Sequence, residues 1–97
     1  MDDYGTVAKC PECDGEYLHQ SGVEAFFRDG ECAMTGAHVT ASKDDDMPPS
    51  MSADRSMSGN PSPRRDGMMI RFWCEDCGAV VGMYVMQHKG QTFIRWG

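Results

Sequence analysis

The residues of this sequence whose type and spacing could do chemistry are two cysteine pairs, Cys10 and Cys13 in "CPEC" and Cys74 and Cys77 in "CEDCG". Two cysteines separated by two residues share one tight turn, which brings both sulfurs to one side and lets them span an edge of a tetrahedron. Zinc prefers such a tetrahedron of thiolates or imidazoles, with sulfur about 2.3 Å from the metal. Pro11 holds a turn-compatible backbone angle inside the first pair, and Gly78 supplies conformational freedom just past the second. Together the pairs predict one closed four-cysteine zinc site, structural rather than catalytic because no coordination position is left for water. Thiol-disulfide chemistry is the weaker alternative. A redox motif normally precedes a helix that lowers its thiol pKa, and neither "DGEYL" nor "GAVVG" reads as a helix start. An iron-sulfur cluster would also accept four thiolates.

The fifth cysteine, Cys32 in "DGECAMTG", is left over. It would be a reactive thiol only if a base such as His19 or His38 were brought to it, and an inert cysteine is the simpler expectation. G-x-S-x-G, the P-loop, H-E-x-x-H and the H-x-E element of zinc deaminases are all missing. The sequence therefore predicts a protein that works by binding and not by catalysis.

Charge narrows what it could bind. The formal charge is -6, opposite in sign to the footprint of a typical DNA- or RNA-binding domain. The imbalance is local: residues 1–50 hold eleven acidic and three basic side chains, residues 51–97 four and six. The acidic residues have a plain reading as a solvated face. Their sharper reading is a surface that imitates nucleic-acid phosphates and enters a basic groove, with Asp29, Glu31, Asp44, Asp45 and Asp46 as candidate partner-binding residues.

The elements that must position these groups look like strands. At 97 residues the chain has room for one domain, 1–97, too small to be comfortably stable without a staple. "EYLHQSGVEAFFRDG" suggests a hairpin turning at Ser21 and Gly22, with Val23, Ala25 and Phe27 alternating after it. "AHVTAS" could add a short strand and "GMMIRFW" another, while "VVGMYVMQ" and "QTFIRW" flank a turn at "HKG". Between the cysteine pairs, 43–67 carries four of the five prolines and no aromatic or branched aliphatic residue. It predicts a mobile loop. No stretch has helical periodicity, so the expected fold class is all-β, small and loop-rich. The sequence opens on "MDDYGTV" without the pattern of a signal peptide, and the longest uncharged stretch, 77–87, is well short of the ~20 residues that span a bilayer. A cytoplasmic protein with reduced thiols and no membrane partner is the expectation.

Cys10, Cys13, Cys74, Cys77 and Gly78 resemble the paired knuckles of a zinc ribbon, in which two β-hairpins share one zinc through their tips. Two features differ from a compact ribbon: Asp14 stands where the second knuckle has Gly78, and a long stretch separates Cys13 from Cys74. Over most of the chain, "YLHQ", "PRRDG", "FWCEDCG" and "QHKGQT" resemble small zinc-ribbon proteins of bacteriophages, prophages and mobile elements. That resemblance implies a bacterial host and an accessory role, with a host protein or nucleoprotein complex as partner. Its most concrete version is an inhibitor of a defence system of the anti-CRISPR type. The alternative is a nucleic-acid-binding zinc ribbon using Arg64, Arg65, Arg71, Lys89 and Arg95. In that case some aromatic side chains would stack on bases.

Overall fold

A computed structural model describes residues 4–44 and 46–97. The described residues form an all-β structure: one antiparallel sheet of six strands and no helix. The strands are β1 (Leu18–Arg28), β2 (Thr35–Ser42), β3 (Ser50–Ser56), β4 (Gly67–Cys74), β5 (Val80–His88) and β6 (Gln91–Trp96). Their order across the sheet is β3-β2-β1-β4-β5-β6. Two three-stranded meanders, one from each half of the chain, therefore lie side by side and join where β1 pairs with β4. Segment 57–66 carries the chain from the β3 edge back to the centre.

Three expectations hold: "AHVTAS" lies in β2, "GMMIRFW" lies in β4, and the C-terminal hairpin is formed by β5 and β6. Lys89 and Gly90 both take left-handed backbone angles at its turn, φ 52° and 79°, which matches the right-handed twist of the flanking strands. Two expectations are corrected. Ser21 and Gly22 do not turn the chain, because β1 runs straight through them and its register against β4 shifts between Gln20 and Gly22. The extra residue is taken up as a β-bulge, so the alternation of Val23, Ala25 and Phe27 belongs to the same strand as Leu18. Segment 43–67 is not loop throughout: Ser50–Ser56 pair with β2 as an edge strand, and Met57 and Ser62 beyond them are buried. Asp45 lies outside the described residues.

Register and alternation sort the side chains onto two faces. One face carries Phe26, His38, Glu24 and Asp54 at the β1–β3 side, and segment 57–66 packs across it. Arg28 fastens that segment: its backbone N–H donates to the Asp66 carboxylate, and its guanidinium donates to the carbonyls of Arg65, Ser62 and Ala33. Ser62, fully buried, donates its hydroxyl to the carbonyl of Gln87 and accepts from the Arg65 N–H, so the buried oxygen is satisfied. The opposite face is almost wholly apolar. Phe72, Cys74 and Val81 are buried at its end nearest the cysteine turns, with Cys10 packed on them. Among the described residues only Cys10, Phe26, Met57, Phe72, Cys74 and Val81 are buried hydrophobics. Because two of these six are cysteines of the paired motifs, the core at this end is organised around their sulfurs.

Candidate metal centre

The cysteine turns flank β1 and β4, the two central strands. Cys10 and Cys13 precede β1, Cys74 is the last residue of β4, and Leu18 pairs with Cys74 where the strands meet. The N–H of Glu75 donates to the carbonyl of Tyr17 at 2.9 Å, which locks the two turns together beyond the sheet. As a result all four sulfurs lie within 4.8 Å of one another. Cys10 Sγ is 3.8 Å from Cys77 Sγ, and Cys13 Sγ is 3.5 Å from Cys74 Sγ. A tetrahedral site with bonds of about 2.3 Å has edges of about 3.8 Å. The four residues singled out by spacing are brought together in a geometry compatible with one metal ion, with Cys10 and Cys74 buried and Cys13 and Cys77 exposed.

The two turns are built alike. The N–H of Asp14 donates to the Cys10 carbonyl and the N–H of Gly78 to the Cys74 carbonyl, each at 2.8 Å. The N–H of Cys10 donates to Gly15 and that of Cys74 to Ala79. Closing this loop requires a left-handed backbone after the second cysteine, and Gly78 provides it at φ 74°. Asp14 adopts the same conformation at φ 64°. The departure noted in the sequence is thereby absorbed, since Asp is among the few residues that visit this region readily. Replacing Gly78→Ala costs about 1–2 kcal/mol in this conformation, so metal affinity falls roughly five- to thirtyfold. Competition against a chromophoric chelator measures it.

Proton affinities within the cluster are divided unequally. N–H donation from Cys77, ahead of the other contacts, lowers the Cys74 thiol to about 7. Cys13 is affected most by the Gly15 N–H, which lowers it. The adjoining Cys74, Cys77 and Cys10 thiols together with desolvation outweigh that donor and push it up to about 12. Crowded thiols resist losing several protons at once, and a cation at their centre removes that resistance by supplying the opposite charge.

The two cysteine turns carry exposed acidic residues: Glu12, Asp14 and Glu16 on the first, Glu75 and Asp76 on the second. The turns approach so closely that a methyl group at Gly15 would meet Asp76 Oδ2 at 2.3 Å. Glu75 and Asp76 belong to the acid-poor half of the sequence, and only the fold brings their turn against the acidic first turn, where Glu75 also pairs with His19. Asp29 and Glu31, the candidate partner-binding residues between β1 and β2, make exposed ion pairs with the protein's own arginines. Asp29 accepts from Thr35 and Arg55, which hold its carboxyl below the usual range, Thr35 contributing most. Glu31 pairs with Arg64 and Arg65. Asp44 and Asp46 are exposed.

Cys32 stands apart from the cluster, in the turn between β1 and β2. Its sulfur accepts from Arg64 Nε at 3.1 Å. The histidines considered as bases are engaged elsewhere. His19 stacks on Trp73 and bonds Glu75, whereas His38 stacks on Phe26 between Glu24 and Asp54. Among the described residues, no helix is long and apolar enough to cross a membrane. No family model, curated protein or solved structure matches this chain.

Proposed function

We propose that this chain is a zinc-stabilised, non-enzymatic binding protein whose acidic pole docks on a basic surface of a host protein or nucleoprotein complex. The observation that carries the reading is that the two turns holding the four clustered thiols also carry five exposed acidic residues. With zinc bound, the four-thiolate centre itself bears a formal charge of about -2, so the pole concentrates negative charge on a rigid platform. Rigid, closely spaced carboxylates resemble successive phosphates to an arginine- or lysine-lined groove, and they speed encounter with it by electrostatic steering. Zinc is favoured over iron or redox chemistry because a closed four-sulfur site needs only a tetrahedral ion with no electron to exchange. In a bacterial cytoplasm the concrete form is a phage or mobile-element inhibitor that occupies the nucleic-acid groove of a defence complex, of the anti-CRISPR type.

The test is capture from a bacterial host lysate by immobilised protein, followed by elution with heparin. The captured partner should elute with heparin, which competes for basic grooves. A Glu12→Lys, Glu16→Lys, Asp44→Lys, Asp46→Lys variant should retain its metal and lose at least tenfold in binding. Equal capture by that variant would refute the reading.

A second reading has its own observation. Arg71 and Arg95 share a face with Trp73 and Tyr84, and the Arg95 guanidinium sits 5.8 Å from the Tyr84 ring centre. Aromatic and guanidinium groups on a sheet are a platform for single-stranded nucleic acid. Binding of a labelled oligonucleotide, weakened by salt and by Arg71→Ala, would favour this alternative.

A further inference from the structure

The geometry points to a homodimer in which two copies of this chain pack their apolar sheet faces together as a β-sandwich. Domains bury a sheet's apolar face against a second layer of structure. Here segment 57–66 covers part of one face, but among the described residues nothing covers the other away from the cysteine turns. On that face Phe27, Val39, Met51 and Ile94 are 56%, 42%, 83% and 66% exposed, although they lie on strands at the centre and both edges of the sheet. Met68 and Val85 between them are only half-buried.

Overall dimensions agree. The accessible surface is 6884 Å², whereas a folded monomer of 10.8 kDa is expected to expose about 5,500 Å². The exposed segment 4–9 and the exposed apolar side chains of the open face both contribute to the excess. The radius of gyration, 14.8 Å, also exceeds the roughly 12.5 Å of a compact chain of this length.

The area matches what a stable dimer needs. Strands about 4.8 Å apart and roughly five residues of each at about 3.3 Å per residue give a face of about 450 Å² in projection. With side-chain relief, two such faces bury on the order of 1,200 Å², the lower end of specific interfaces. Charge does not oppose the contact. Register and alternation place no carboxylate from the six strands on this face, and Asp29, just past β1, reaches its margin only as the partner of Arg55. Arg55, at the β3 margin, is neutralised by Asp29. The face is also self-complementary in chemistry, as a twofold interface requires, and methionines on it adapt to one another's shape. Aligned packing at about 10 Å between sheets completes the second layer.

Sedimentation equilibrium of the full metal-loaded chain, from 1 to 100 µM, tests this. The expected mass is twice that of the chain. Met51→Glu with Ile94→Glu should raise the dissociation constant at least a hundredfold, because each new carboxylate would be buried unpaired. Both positions are exposed in the single chain, so circular dichroism and metal content should remain those of the parent. A monomer at 100 µM overturns the proposal and leaves the face to a different protein. A dimer that survives both substitutions overturns it as well, since it would then form through the β3 or β6 edges.

Discussion

Removing the metal is expected to abolish cooperative unfolding of this protein. Closed thiolate sites contribute roughly 10–16 kcal/mol of apparent binding energy in small peptides, against 5–15 kcal/mol for the total stability of an ordinary domain. The core here gives little to set against that loss. Cys10 and Cys74 are two of its six buried hydrophobic residues, and Phe72 and Val81 pack directly on them. Without a cation, four sulfurs within 4.8 Å must either stay protonated in crowded contact or repel one another. Cys74→Ser should reproduce the effect, since a hydroxyl is a poor replacement for a buried thiolate ligand. Circular dichroism during a thermal scan, before and after a strong chelator, reads the outcome. Cobalt substitution adds a sulfur-to-metal absorption that reports the ligand set. An apoprotein that keeps an unchanged, sharp transition would refute the assignment.

The second large effect lies at the other end of the sheet. Phe26→Ala should cost about 3–5 kcal/mol, the range for removing a fully buried phenylalanine. Phe26 has no exposed surface. It is stacked on His38 with ring centres 4.2 Å apart and covered by the crossover near Gly59. The cavity could not collapse easily, because Arg28 and Ser62 fix the crossover by hydrogen bonds on either side of it. Phe93→Ala is the control: that ring is 46% exposed, and its loss should cost less than about 1 kcal/mol. Denaturant titration of both variants with metal in place measures the difference. Metal content equal to the parent's would show that the two halves of the core act separately.

The clustering of the four cysteines was legible in the sequence because chelation imposes a spacing that few other roles share, and four residues sufficed to state it. The β5–β6 hairpin was legible for a similar reason, since alternating apolar residues flank a Lys89-Gly90 turn. What escaped notice depends on contacts between distant segments. "SMSADRS" has the composition of a linker, yet it becomes β3 because β2 offers an unpaired row of backbone groups that fix its register; pairing overrides weak propensity. Ser21-Gly22 carries a turn signal, and the same two residues serve equally well as a bulge. Ser62 is polar and buried, which no hydrophobic pattern announces; its burial is possible because the Gln87 carbonyl is within reach. The acidic pole followed the same rule, as Glu75 and Asp76 gained their setting only when the cysteine turns met.

The side-by-side arrangement of two meanders has a kinetic consequence. Pairings within each half join strands near in sequence, so they can form early and locally. The junction of β1 with β4 must instead close a chain of many tens of residues, the kind of contact that raises contact order and slows folding. A cation held by either cysteine turn and then captured by the other would tether the distant segments. Refolding would then quicken with metal concentration, and this junction would zip last.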